Sequence, residues 1–231
     1  MKYAYLSSLF LVLVSLSSCW DEYGYEEIAV TYDTVPFDRI RLETSSNIRI
    51  IQSNEYKVVV HGQKRDVDDT EVRVNSDRLV IEEHGHIDND QRIEIYVPEI
   101  SELENTGSSL VYGESEFTQN RSMDLTMTGS GEIDMYVDVD NLDVRLTGSG
   151  YIYLEGFADN SDFDITGSGW IRAFPLDTDI MDMRIDGSGS AEVNVDSDLD
   201  IVISGSGDVY YKGHPDVSIV ISGSGHVFDA N

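Results

Sequence analysis

From Leu125 onward apolar and polar residues alternate with a period of two, and a Gly-Ser-Gly turn interrupts the alternation at regular intervals. Leu142-Asp143-Val144-Arg145-Leu146 and Tyr151-Ile152-Tyr153-Leu154 carry the pattern on either side of one such turn. That period belongs to strands with one buried face, and residues 120–231 contain no helical period. Aligning on the turns gives apolar columns. Leu125, Val144, Phe163, Met183, Ile201 and Ile219 stand four residues before the first glycine, and Met127, Leu146, Ile165, Ile185, Ile203 and Ile221 two before. Ile133, Ile152, Ile171, Ala191, Val209 and Val227 form a third column after the turn.

The turns start at Thr128, Thr147, Thr166, Asp186, Ser204 and Ser222, at spacings of 19, 19, 20, 18 and 18 residues. A fixed period of this length predicts stacked structural repeats. Strand, corner and strand make one coil of a parallel β-helix, each coil pairing with the next at about 4.8 Å. An up-and-down barrel would reverse direction at every turn and scatter identical turns, whereas a solenoid stacks like on like. Twelve of the 19 glycines lie in these turns, where a corner needs positive φ or close backbone approach. The hydroxyls at 128, 130, 147, 149, 166 and 168 are expected to line up as hydrogen-bonded ladders. The motif lacks the Gly-x-Ser-x-Gly spacing of a nucleophile elbow and the Lys-Ser/Thr ending of a phosphate loop, so its serines read as corners.

Upstream the pattern weakens. Thr106-Gly-Ser-Ser109 is a degenerate copy with Leu103 and Val111 in the column positions, and Ile40–Ile50 reads as an earlier coil whose corner has lost its glycines. Lys57–His61, Glu71–Val74, Leu79–Glu82 and Arg92–Val97 alternate as strands, with a tight turn at Asn75-Ser76-Asp77 and a strand end at Pro98. Residues 33–118 are read as irregular coils continuous with the regular coils of 119–231, giving one all-β domain over 33–231.

The N-terminus carries a different signal. Lys2 precedes an apolar stretch, Leu6–Leu16, too short to span a bilayer, and Leu16-Ser17-Ser18-Cys19 follows. This resembles a bacterial lipobox. It predicts a lipoprotein signal peptide over 1–18 and lipidation of Cys19, which as the only cysteine also argues against a disulfide framework. Residues 19–32 then form a tether containing Asp21, Glu22, Glu26 and Glu27. That cluster resembles the acidic signal by which some Bacteroidota lipoproteins reach the outer face of the outer membrane; a solvated linker is the other reading. The lipid anchor makes the outer membrane the first expected partner, with surface exposure and a periplasm-facing position as the two placements.

Charge narrows the partners further. The sequence holds 15 Lys and Arg against 44 Asp and Glu, a formal charge of −29, and loss of Lys2 would make the chain one unit more acidic. Such a surface repels phosphate backbones, which excludes nucleic acid.

The run ISGSGDVYYKGHPDVSIVISGSGHV at Ile203–Val227, the earlier Thr-Gly-Ser-Gly copies and the lipobox together resemble the putative auto-transporter adhesin, head GIN domain family. The resemblance covers about residues 33–228. It implies a right-handed parallel β-helix on a secreted or lipid-anchored protein, and brings no catalytic or ligand residue with it. The chain departs from the family's usual Gly-Gly at Thr44–Asn47, and departs again at Ser109.

Stacking the coils suggests two candidate constellations. Asp124, Asp143, Asp162, Asp182 and Asp200 fall in one outward column, where neighbouring carboxylates repel by about 1 kcal/mol even in water. The column two residues on reads Thr126, Arg145, Asp164, Arg184 and Val202, so two arginines can neutralise its middle. Ca²⁺ could bridge adjacent carboxylates, but no loop offers calcium-site spacing, so the expectation is no cofactor. The second constellation, Tyr151, Tyr153, Trp170 and Arg172, suits a sugar ring or a protein ligand, although cross-strand stacking uses the same residue types. His84-Gly-His86 has no third ligand nearby in sequence. The expected function is that of a lipid-anchored envelope protein for adhesion or surface interaction, not an enzyme. A carbohydrate- or lipid-binding envelope module is the alternative. A polysaccharide-active enzyme is the third reading, for which no single carboxyl pair stands out.

Overall fold

In the computed structural model, which describes residues 13–14, 26–85, 87, 90–118 and 122–231, the alternating segments become strands of one sheet. In chain order these are β1 (Leu13–Val14), β2 (Glu27–Asp33), β3 (Arg39–Glu43), β4 (Asn47–Gln52), β5 (Lys57–Gln63), helix α1 (Lys64–Asp68), β6 (Thr70–Asn75), β7 (Arg78–Glu83), β8 (Arg92–Val97), β9 (Glu102–Gly107), β10 (Leu110–Thr118), β11 (Ser122–Gly129), β12 (Glu132–Gly148), β13 (Tyr151–Gly167), β14 (Trp170–Gly187), β15 (Ser190–Gly205), β16 (Asp208–Lys212), β17 (Asp216–Gly223) and β18 (His226–Asp229). The fold is a parallel β-solenoid of about seven turns. Apart from Leu13–Val14, which pair with β2, the expected signal peptide lies outside the described residues, as does Cys19.

The regular half follows the periodicity. β12, β13, β14 and β15 each run from one Gly-Ser-Gly turn to the next and pair in parallel, so residues one coil apart sit side by side. Within β12 the buried positions are 133, 135, 137 and 139, then 142, 144 and 146, with Asp140 and Asn141 both exposed between them. That switch of parity is a second corner, because one extra exposed residue is what keeps the apolar side inward around a bend. The three apolar columns are buried through Ile201, Ile203 and Val209, and each fully buried large side chain contributes about 1.5–3 kcal/mol.

Glycine is required at the first corner by geometry. Gly167 has φ +118°, and a Cβ there would stand 2.5 Å from the Gly148 carbonyl oxygen. At Gly169 a Cβ would stand 2.6 Å from Leu146 Cδ2 and 2.8 Å from the Gly150 oxygen. Corners therefore touch backbone to backbone. Their ladder is also made of backbone, as in Ser168 N to Gly148 O at 2.8 Å and Trp170 N to Gly150 O at 3.0 Å. The corner hydroxyls at 128, 130, 147, 149, 166 and 168 are exposed and form no ladder of their own, contrary to expectation. A side-chain ladder does form at the second corner. Asn160 Nδ2 donates to Asn141 Oδ1 at 3.2 Å, and Asn141 Nδ2 reaches Ser122 Oγ at 3.4 Å.

Upstream, the coils stack out of chain order. β3 pairs in parallel with both β7 and β9, and β4 with both β8 and β10. The β3–β4 coil, first in sequence, thus sits between the β7–β8 coil and the β9–β10 coil. Beyond β7–β8 the ladder changes character, for β5 runs antiparallel to β8, β6 antiparallel to β7, and β2 antiparallel to β5. Helix α1 joins β5 to β6 and buries Val67. This end of the solenoid is closed by antiparallel strands.

Candidate functional site

The run that follows each Gly-Ser-Gly corner exposes every second residue on one face. Register places Glu132, Tyr151, Trp170, Ser190 and Asp208 in one outward column and Asp134, Tyr153, Arg172, Glu192 and Tyr210 in the next. The four residues singled out from sequence are therefore brought together as expected. Tyr151 is 50% exposed, while Trp170 is half-buried, with the Arg172 guanidinium 4.4 Å from its ring centroid. Such a contact is worth about 0.5–1 kcal/mol at an exposed site. The indole Nε1 of Trp170 is buried and has no acceptor.

Beside these rings, Glu132, Asp134, Tyr151, Ile152, Tyr153 and Arg172 line an open groove of about 350 Å³. Burial raises the Asp134 pKa above the ordinary value, and the charges of Glu155 and Glu132 add to the rise. Tyr153 is raised first by Glu155 as hydrogen-bond acceptor and then by burial. The groove combines apolar ring faces, hydroxyl donors, carboxylates and one guanidinium, groups of the kind that suit polyhydroxylated or amphipathic ligands.

Sequence reasoning missed the extent of this face. Tyr112 pairs with Asp134 in register, which extends the second column beyond Tyr153 toward the N-terminal end. At the other end Tyr210 stacks on Phe228 with centroids 4.9 Å apart. The Lys212 Nζ also lies 4.3 Å from the Phe174 ring centroid. Only the register across the degenerate Thr106–Ser109 corner could have pointed to Tyr112.

The acidic ladder runs along the preceding face. Asp124, Asp143, Asp162, Asp182 and Asp200 are in continuous register, and Glu102 of β9 extends the column by one coil. Asp162, Asp182, Met183, Arg184, Asp200 and Val202 line a small cleft of about 150 Å³. Burial raises the pKa of Asp124, helped by its hydrogen bond with Asp143, while Arg145 opposes the rise. Asp162 is raised by burial and then by Asp143 and Asp182, against Arg184 and Arg145. Arg145 and Arg184 thus oppose the repulsion within the stack.

A third cluster corrects the sequence reading of His84. His86 lies outside the described residues, but Glu71, Glu82 and His84 offer ligand atoms within 4.8 Å of one another. Arg73 pairs with two of the three, with Glu71 at 3.0 Å and with Glu82 through its other terminal nitrogen. That arrangement is a salt-bridge network.

Comparison with known proteins now decides the family. The model of the family described as putative auto-transporter adhesin, head GIN domain, matches residues 36–215. The chain belongs to that family. It is similar to a putative adhesin from Bacteroides fragilis at 25% identity and TM-score 0.83, covering 87% of this chain and 96% of the other. A putative lipid binding protein from Parabacteroides distasonis matches at 25% identity and TM-score 0.73, covering 89% and 97%. A putative adhesin from Parabacteroides merdae, at 18% identity and TM-score 0.72 over 89% and 96%, shares the fold. Among curated proteins none matches. The family and these neighbours are described as adhesins or binding proteins, and among the described residues no helix is long and apolar enough to cross a membrane.

Proposed function

We propose that this head GIN domain protein is an adhesion module, anchored in the outer membrane through an acylated Cys19 and displayed on the cell surface, which holds a glycan or protein ligand without catalysis. The observation that carries this reading is the aromatic and acidic face, where Tyr151, Tyr153, Trp170 and Arg172 stand in register beside an open groove. Strand pairing on both sides fixes the backbone, so the face is held ready for a ligand with little further ordering. A ligand oxygen that draws Arg172 aside and accepts from Trp170 Nε1 gains a hydrogen bond missing from the free protein. The acidic ladder is assigned a metal-free role, its charge opposed by Arg145 and Arg184.

The test has two arms. Protease added to intact cells digests the wild-type protein, while the Cys19→Ala variant is lost from the membrane fraction. Purified protein binds glycans or host cells, and Tyr151→Ala and Arg172→Ala lower that binding at least tenfold. Protection from protease until lysis defeats surface display, and unchanged binding in both variants defeats the assignment of the face. The lipid-binding description of the Parabacteroides distasonis neighbour favours a second reading, that the groove takes an amphipathic small molecule. Extraction of a lipid from the purified protein, lost in Tyr151→Ala, would select it. Calorimetric heat on adding Ca²⁺ would overturn the metal-free ladder.

A further inference from the structure

The two ends of the solenoid are finished differently. At the β7–β8 end the parallel edge is taken up by the antiparallel strands β5 and β6. At the opposite end, among the described residues, β17 pairs only with β15 and β18 only with β16. The inward columns therefore surface there. Ile201 is 1% exposed but Ile219, its successor, is 47% exposed; Ile203 is 0% and Ile221 is 40%. Val220, on the outward side of the same strand, is 60% exposed.

Charge vanishes at the same place. The acidic ladder that reaches Asp200 ends on Ser218, and the column of Arg184 and Val202 ends on Val220. Residues 217–225 contain no charged side chain, in a chain whose formal charge is −29. The lateral faces of two such molecules repel each other, and residues 217–225 form a neutral strip on which two copies can meet, between Asp216 and Asp229. Its free strand edge is a template for pairing.

We propose that the last coil is the docking surface for a second copy of this chain, joined tail to tail across a two-fold axis with β17 antiparallel to β17. A head-to-tail stack would need a matching parallel edge at the other end, and β5 and β6 close that edge. The two-fold contact is instead self-complementary. With the axis at Val220, Ile219 of one copy faces Ile221 of the second copy across the apolar interior, and Ser218 faces Ser222 on the outside. Asp216 then faces Ser224 of the second copy, so no two carboxylates oppose each other. The arrangement carries the apolar core through the junction and turns the aromatic faces of both copies into one bivalent particle.

Sedimentation velocity on the full chain carrying Cys19→Ala, which removes the acylation site, tests the proposal. The expected result is a monomer–dimer equilibrium that shifts with concentration and stops at the dimer. Added salt strengthens it, because both copies are strongly acidic. Val220→Asp and Ser218→Asp, both outward substitutions, abolish the dimer while leaving circular dichroism unchanged, and they remove the rise of melting temperature with concentration that a dimerising wild type shows. A chain that stays monomeric at every concentration, a ladder of higher oligomers, or a dimer indifferent to both substitutions overturns the proposal. So does a monomer that binds a different protein through this coil.

Discussion

The N-terminal and C-terminal halves of the solenoid solve the same corner in two ways. In the C-terminal half glycine lets backbone rest on backbone, and each corner is held by the one before it. In the N-terminal half side chains substitute. At Thr44–Asn47, where the glycines are missing, Glu83 of β7 accepts from Ser45 N at 2.8 Å and from the Ser46 hydroxyl. At Gly107–Ser109 the second glycine is a buried serine, and Asn105 accepts from Ser109 Oγ at 2.6 Å while donating to the Ser109 carbonyl. A glycine corner can be repeated indefinitely because it needs nothing specific from its neighbour. A side-chain corner accepts one neighbour only, which fits the half in which coils stack out of chain order. Ion pairs work to the same end. Arg39 of β3 and Arg78 of β7 converge on Glu102 of β9, and Arg49 of β4 meets Glu114 of β10.

The largest effect expected from this contrast is at glycine. Gly167→Ala places a side chain at positive φ and against the Gly148 carbonyl, and both faults are fixed by the stack, so the loss is about 3–5 kcal/mol in urea unfolding. A loss below 1 kcal/mol would mean that the coils slide apart easily. Glu83→Ala removes three hydrogen bonds from a single corner, those from Ser45 N, Ser45 Oγ and Ser46 Oγ, and costs about 1–3 kcal/mol. Hydrogen exchange should quicken at residues 44–47 and stay unchanged at Ser168 and Trp170; equal quickening at both corners would contradict the local role of Glu83. A smaller change follows when one half is converted to the logic of the other. Asn105→Leu strands the Ser109 hydroxyl and costs about 1–2 kcal/mol. Adding Ser109→Gly recreates the regular repeat and recovers most of the loss, so the pair of substitutions is strongly non-additive. Simple additivity would show that Asn105 does not support Ser109.

Periodicity made the regular half legible because equal coil lengths turn residues 19 apart into neighbours. That rule placed Tyr151 beside Trp170 and Asp143 beside Asp162. It also located the strands at 57–63, 70–75, 78–83 and 92–97. It could not order them, since every coil carries the same period of two and stacking order is set by long-range pairing. Nor could it see that Arg172 lies over Trp170 or that Glu71 and Glu82 approach His84, because side-chain placement follows tertiary packing. The Asn141–Asn160 ladder did leave a trace. Asp140-Asn141 and Asp159-Asn160 are where alternation loses a beat, and a polar pair at a break in parity marks a corner as surely as glycine does.

The two outward faces of the C-terminal half differ in how they hold charge, and pH separates them from the ion-paired N-terminal half. Asp124, Asp134 and Asp162 have folded pKa values above their ordinary 3.8, through burial and acidic neighbours. Between the unfolded and folded values the native protein binds more protons than the unfolded chain, so stability rises as pH falls through the folded values. Glu82 acts in the opposite sense. Its pKa is lowered below 4.5 by the hydrogen bond from Arg73, so the stability it contributes is lost as pH falls through that lower value. Maximum stability is therefore expected at mildly acidic pH. Melting should be higher near pH 5 than at pH 7, by about 0.5 kcal/mol or less per raised carboxyl once solvent screening is counted. Asp162→Asn should raise the melting temperature at pH 7 and flatten the rise toward pH 5, since the amide relieves Asp143 and Asp182 of a like charge at every pH. A steady loss of stability from pH 7 to pH 5, in wild type and variant alike, would mean that the ladder is neutralised by something other than its own protons.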